Sequence, residues 1–253
     1  MLNISFPDGR VEKFKKSVSG SFIAESISKS LLKKAVAIKV NNKLMDLSDE
    51  ISQDSSIEII TDECDEGLEI MRHTLTAQVL AKAVKNLFPD CKLAIGPTIE
   101  NGFYYDFLFK EKISIDKFPE IEQEMKKIVN DGSQIIKVLK KKDEAVRIFR
   151  ERNESYKVQI INDSEQEEDF KIYMQENSDF LDLCRGPHLP NLKLIGAFKL
   201  TKLAGAYWRG DSKNEMLQRI YGTAWKNQKQ LDIYLENLKE AEKRDHRKIG
   251  KDL

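Results

Sequence analysis

Cys184 and His188 stand four residues apart, separated by Arg185-Gly186-Pro187. Pro187 fixes its own φ and biases Gly186 away from helix, so the pair belongs to a turn rather than to one face of a helix. A thiol and an imidazole presented this way have three chemistries open to them: joint ligation of a metal, a nucleophile with its base, or the polar lining of a pocket. The histidine count narrows the first. The chain has three histidines, His73, His188 and His246, and His246 falls in a charged terminal stretch. Zinc would have to take His73, His188 and Cys184 with a fourth ligand other than histidine, and Cys64 and Cys91 sit at no ligand-like spacing. No bound metal is expected.

Composition bounds the scaffold that must hold such a site. The chain has 253 residues, 40% hydrophobic and 33% charged, enough for one large or two smaller domains with a buried core. No apolar run approaches the ~18 residues of a membrane span. The opening Met1-Leu2-Asn3-Ile4-Ser5-Phe6-Pro7-Asp8-Gly9 lacks the blocks of a signal peptide and reads as a strand and a turn. Three widely spaced cysteines argue for reduced thiols in a cytosolic protein. The 42 basic and 42 acidic residues cancel, so a nucleic-acid partner would have to meet local clusters such as Lys137/Lys140/Lys141/Lys142 and Lys243/Arg244/Arg247/Lys248. Any one of those clusters is otherwise an ordinary solvated face.

Periodicity supplies the elements. Leu2, Ile4 and Phe6 alternate as in a half-buried strand, Pro7 to Arg10 is a turn, and Val11 to Phe14 returns as a hairpin partner. A helix is predicted from about Ser21 to Lys34, strands at Ala35–Val40 and Ser56–Ile60, and a polar stretch from Asp46 to Ser55. This pattern fits a small β-grasp module over 1–62, with no catalytic constellation in it. An acidic linker, Asp62 to Gly67, leads to a larger α+β region over 63–225. Its expected elements are a helix over Leu75–Phe88, a strand over Phe103–Phe107, helices near 117–130 and 143–152, strands near 134–140 and 157–161, and two strands across 198–222. A charged helix occupies about 226–246 of the final segment, 226–253.

The motifs are more specific than the periodicity. Ala94-Ile95-Gly96-Pro97, Asn101-Gly102-Phe103-Tyr104-Tyr105-Asp106, Asp182-Leu183-Cys184-Arg185-Gly186-Pro187-His188, Gly205-Ala206-Tyr207-Trp208-Arg209-Gly210-Asp211-Ser212, Gln218-Arg219-Ile220-Tyr221-Gly222-Thr223-Ala224-Trp225 and Arg244-Asp245-His246-Arg247-Lys248 occur in this order. Together they resemble the threonyl-tRNA synthetases along essentially the whole chain. The resemblance implies a TGS domain at 1–62, an editing domain at 63–225 and a linker helix at 226–253 leading to a catalytic domain. ATP and zinc would belong to that catalytic domain, so no cofactor is expected here. It also implies a cytoplasmic setting, a monomeric fragment of a homodimeric enzyme, and tRNA(Thr) carrying seryl adenosine at its 3′ end as partner.

The implied chemistry is hydrolysis of the ester of mischarged seryl-tRNA(Thr). Serine lacks one methyl group of threonine, a difference that binding alone discriminates by only about 1–3 kcal/mol, so a second, hydrolytic site is needed. By resemblance, His73 is the general base, Lys157 activates water or stabilises the oxyanion, Cys184 and His188 line the pocket, Asp182 binds the seryl group, and Tyr105 packs against substrate or adenosine. Direct water attack suffices for an activated ester, so a covalent Cys184 intermediate is not required. The chain departs from the family's His-x-x-x-His at one point. Gln78 stands where the second His belongs, one residue later than the family spacing. On a regular helix residues four apart lie about 40° apart but residues five apart about 140°. His73 and Gln78 can therefore share a face only if the chain is non-helical at His73 or a π-bulge absorbs the insertion. Gln78 is accordingly expected to bind substrate, and it serves if the family's second His only positions water. Gln cannot take a proton near neutral pH, so if that His titrates, a non-catalytic tRNA-binding scaffold with weakened editing is the alternative reading.

Overall fold

A computed structural model describes the backbone of residues 1–249 and the side chains of 1–244. Positions 250–253 of the expected linker segment, and the side chains of Asp245, His246, Arg247 and Lys248, lie outside the described residues. The fold is α+β. Its N-terminal module opens with β1 (Leu2–Ser5), β2 (Val11–Phe14), β3 (Val18–Ser19), α1 (Gly20–Ile27) and α2 (Lys29–Lys34). It continues through β4 (Ala35–Val40), β5 (Lys43–Asp46), β6 (Glu50–Ile51) and β7 (Ser55–Thr61). The sheet order is β2-β1-β7-β4-β5, with β1 and β7 parallel and the other pairs antiparallel. The single predicted helix is two, because Ser28 ends the first in extended conformation and its side chain caps Leu31 N–H of the second. The β4–β5 hairpin turns on Asn41 and Asn42, both at positive φ (49° and 64°), where Asn is tolerated. The predicted polar stretch from Asp46 to Ser55 contains the end of β5 and all of β6.

The module is buried on both sides of its sheet. One face closes a core of its own from Leu2, Ile4, Ile23, Ala35, Ile38 and Ile57. On the other face, Val36, Ala37 and Ile60 join the main core with Ile70, Met71 and Leu75. This explains why Ala35-Val36-Ala37-Ile38 is a continuous apolar run rather than an alternation.

A long helical rod follows directly: α3 (Asp65–Thr74), a π turn (Leu75–Leu80) and α4 (Ala81–Leu87). The rod starts ten residues before the predicted Leu75. Asp65 and Glu66 of the expected acidic linker form its first turn, where negative charge favours a helix N-terminus. All six residues of the π turn are buried.

Around this rod lie β8 (Lys92–Leu93), β9 (Thr98–Ile99), β10 (Gly102–Leu108), α5 (Phe118–Asp131), β11 (Ile135–Lys140), α6 (Lys142–Glu151), α7 (Ser155–Asn162), β12 (Phe170–Gln175) and β13 (Leu181–Leu183). The chain closes with the long hairpin β14 (Ala197–Tyr207) and β15 (Met216–Trp225) and the helix α8 (Gln228–Ile249). One sheet runs β14-β15-β10-β8 and a second β11-β12-β13. The predicted strand at 157–161 is instead helix α7. Its β-branched Val158, Ile160 and Ile161 mimic a strand, but Tyr156, Lys157 and Ile161 are buried at near-helical spacing, and packing overrides propensity. Strands β12 and β13 were not anticipated. Among the described residues no helix is long and apolar enough to cross a membrane.

Gly67 sets the join between module and rod. A Cβ there would stand 2.0 Å from the Thr61 carbonyl oxygen at the end of β7. Gly67→Ala should destabilise the chain by about 1–3 kcal/mol through overpacking against backbone, read as a lowered midpoint in urea unfolding.

Candidate active site

The π turn reconciles the one-residue insertion with a shared face. Its i→i+5 pairing appears in the Ala81 N–H, which donates to the Thr76 carbonyl. His73 and Gln78 both face the β12–β13 sheet, but they meet different partners. His73 lies against Cys184, with Nε2 2.8 Å from Sγ. The Gln78 side-chain amide donates to the Tyr173 backbone carbonyl (3.3 Å), and the Gln78 backbone carbonyl accepts from the Gln175 side chain (2.7 Å). Gln78 is fully buried and makes no hydrogen bond to His73, Cys184 or His188.

Cys184, Gly186 and His188 follow β13 as the expected turn. Gly186 has φ of +65°, and a Cβ there would stand 1.8 Å from the Tyr173 hydroxyl. The turn brings His188 to His73, with ring centroids 4.7 Å apart. Ligand atoms of His73, Cys184 and His188 lie within 4.8 Å of one another.

Proton bookkeeping around Thr74 fixes the state of His188. The Thr74 hydroxyl donates to the Ile70 carbonyl (2.9 Å) and accepts from the Leu189 N–H (2.9 Å). Its one hydrogen is thereby used, so towards His188 Nδ1, 3.0 Å away, it can only accept. His188 therefore carries its proton on Nδ1, and Nε2 presents a lone pair. That Nε2 is buried and has no hydrogen-bond partner among the described residues.

Burial keeps this half of the site neutral. It lowers His73 to about 4, against the pull of Asp46, and holds His188 well below the usual histidine range, with His73 adding to the effect. It pushes the Cys184 thiol up to about 12. A thiol so poorly ionised is a weak nucleophile and a reluctant metal ligand.

The other half is charged and closed. Lys157, on α7, meets Asp182 of β13 at 2.7 Å, with both side chains almost fully buried. Tyr105, on β10, donates to Asp182 at 2.8 Å, and the Leu183 N–H adds a third bond at 2.8 Å. Burial pushes the Asp182 carboxyl up, while Lys157, Tyr105 and Leu183 each favour its ionised form. Burial also raises the Tyr105 phenol well above its usual value, so it remains a donor. Gly96 lets the Tyr105 ring seat, since a Cβ there would be 2.1 Å from it.

The structure thus joins His73, Cys184 and His188 in one cluster, and Lys157, Asp182 and Tyr105 in a second. Gln78, on the π turn, joins neither cluster and is hydrogen-bonded to the β12 backbone. Sequence reasoning missed Thr74 and Tyr173. Neither carried a signal, since Thr74 precedes the predicted Leu75–Phe88 stripe among Arg72, His73 and Thr76, and Tyr173 falls where no element was expected.

A β-grasp module packs on an α+β domain that carries a buried His/Cys cluster. Residues 2–61 match the TGS domain, and residues 170–221 match the "Threonyl and Alanyl tRNA synthetase second additional domain". Over all 253 residues the chain is 53% identical to threonine–tRNA ligase of Francisella philomiragia subsp. philomiragia, of which it covers 39%. Over 252 residues, 99% of the chain, it is 50% identical to threonine–tRNA ligase of Chelativorans sp., covering 38% of that protein. Over 251 residues it is 51% identical to that of Francisella tularensis subsp. novicida, again 99% of the chain and 39% of the relative. From end to end, the chain matches the TGS and second additional domain region of the threonyl-tRNA synthetases.

The two depressed histidines make stability depend on pH. An unfolded chain binds protons at histidine from about pH 6.5 downward, whereas the folded chain refuses them until far lower. Stability is therefore fully present above that value and falls as pH drops towards 4. His73 alone should cost about 2 kcal/mol between about pH 7 and pH 5. Urea unfolding of the wild type and of His73→Gln at both values should show a shallower pH dependence in the variant by about that amount.

Proposed function

We propose that this chain hydrolyses the ester between serine and the terminal adenosine of mischarged seryl-tRNA(Thr). The observation that carries the reading is the bare, buried Nε2 of His188 beside His73 and Cys184, next to the fixed Lys157–Asp182–Tyr105 network. Water attacks the seryl carbonyl carbon and gives its proton to a neutral imidazole. The carbon–oxygen bond to the ribose breaks, the ribose oxygen regains a proton, and serine leaves as the acid. His73, expected as the base, is engaged through Nε2 by Cys184, so His188 Nε2 is the freer proton acceptor and His73 orients the water. The Lys157 ammonium supplies positive charge for the developing oxyanion, and Asp182 directs polar groups of the seryl moiety.

The half of the pocket lined by neutral groups discriminates against an added methyl group by shape rather than by charge. No cofactor enters this step, since water is the co-substrate, and ATP and zinc belong to ligation. The reading includes a cytoplasmic setting and a monomer of about 29 kDa. A concentration-independent mass of that size in solution supports the monomer, and a stable dimer contradicts it. Gln78, tied to the β12 backbone, favours one competing reading, a tRNA-binding scaffold without hydrolysis.

The decisive measurement is single-turnover release of serine from seryl-tRNA(Thr), with the chain in excess. Wild type should release serine well above the buffer rate. His73→Ala and His188→Ala should each lose about 10²- to 10⁴-fold in rate constant. Cys184→Ala should stay within about tenfold, because no thiolate attack is involved. Wild-type release at the buffer rate excludes hydrolysis and leaves the scaffold.

A further inference from the structure

Asp46 closes β5 in the N-terminal module, remote in sequence from every motif of the cleft, yet its carboxylate is buried in the wall of the second domain. Oδ1 accepts the backbone N–H of His188 at 2.9 Å. Oδ2 accepts the Tyr173 hydroxyl at 2.7 Å and Lys137 Nζ at 2.9 Å. Lys137 also pairs with Asp49, whose Oδ2 accepts the Asp46 N–H at 3.1 Å. The side chains of Asp46, Lys137 and Asp49 are 8%, 12% and 18% exposed.

The geometry shows what this carboxylate holds. The His188 N–H lies beyond the end of β13, where no strand ladder can satisfy it, and Asp46 takes that place. The Tyr173 ring stands edge-on to the His188 imidazole, with centroids 4.4 Å apart at 85°. The Tyr173 hydroxyl also fills the space a side chain at Gly186 would need. Burial raises the Tyr173 phenol far above its usual value, so it donates to Asp46 across the working range of pH. One carboxylate therefore grips the turn twice, at the His188 backbone and through Tyr173 at its ring and at Gly186. A charge-assisted pair of such bonds, shielded from water, is stiffer than a neutral one.

We propose that Asp46 is a positioning residue for the cleft: the TGS module, through this carboxylate, holds His188 Nε2 where it can accept a proton. The hydrolytic site is then built across both modules. The kinetic part of this inference rests on the hydrolysis reading, whereas the structural part does not.

The test uses the whole chain with Asp46→Ala and the isosteric Asp46→Asn. Misplacing His188 should lower the single-turnover rate constant of Asp46→Ala by about 10- to 100-fold, with half-saturating seryl-tRNA changed less than about twofold. Asp46→Asn keeps an oxygen for the His188 N–H and a group that can bond the Tyr173 hydroxyl, so it should lose only about threefold to tenfold. Adding Tyr173→Phe to Asp46→Ala should cost far less than it does alone, because both act through one contact. In 15N NMR the His188 amide proton should move upfield in Asp46→Ala, having lost a carboxylate acceptor. If Asp46→Ala does not fold, Asp46→Asn decides. An unchanged rate constant and an unchanged His188 amide overturn the inference. A wild type that releases no serine overturns the hydrolysis reading, and the His188 amide then decides the positioning claim by itself.

Discussion

A widened turn in one buried rod, Leu75–Leu80, is the constraint around which the second domain is arranged. All six of its residues are inaccessible, and the helix on either side belongs to the main core. A regular helix through these residues would rotate everything beyond His73 by about 100° for the one additional residue. The π turn absorbs that residue. It keeps His73 facing Cys184 and Gln78 facing β12, while Leu75, Val79 and Leu80 remain in the core. Irregular pairing of this kind is tolerated only where the surroundings over-determine it. Here the β-grasp sheet, β10, α5 and β12 contact the rod from several sides.

The site divides by charge state rather than by sequence position. His73, Cys184 and His188 are neutral because burial penalises their charged forms. Lys157 and Asp182 occupy an equally buried place, yet they are paired and Asp182 holds three donors. The pair's desolvation is offset by contact geometry, so it is better understood as a rigid electrostatic fixture than as a source of stability. Neutral imidazoles and a buried ion pair thus stand side by side at the end of β13.

Much of this was legible in residue order. The alternation at Leu2–Phe6 and the helical stripes ending near Phe88 and at 117–130 reappear as elements, and the insertion at Gln78 was readable as a demand for either a non-helical chain at His73 or a π-bulge, of which the fold takes the second. The motif Asp182 to His188 was identifiable as a turn carrying a thiol and an imidazole. Other features were not legible. Ser155–Asn162 carries a strand-like composition and is a helix because Tyr156, Lys157 and Ile161 find burial on one side. The start of the rod was hidden because its first turn is acidic and contains Gly67, both ordinary signs of a linker.

Local chemistry by itself determined which residue types are available: three histidines, one thiol on a turn, a lysine and an aspartate in motifs shared with threonyl-tRNA synthetases. Those properties are one-dimensional and survive without a fold. Tertiary structure alone decided their states and companions. The tautomer of His188 follows from Thr74, whose hydrogen is committed to Ile70. The anchoring of the His188 turn follows from Asp46, 142 residues away in sequence. No spacing rule links such positions, because buried donors and acceptors must be satisfied by whatever packing brings near, and packing is a property of the whole chain.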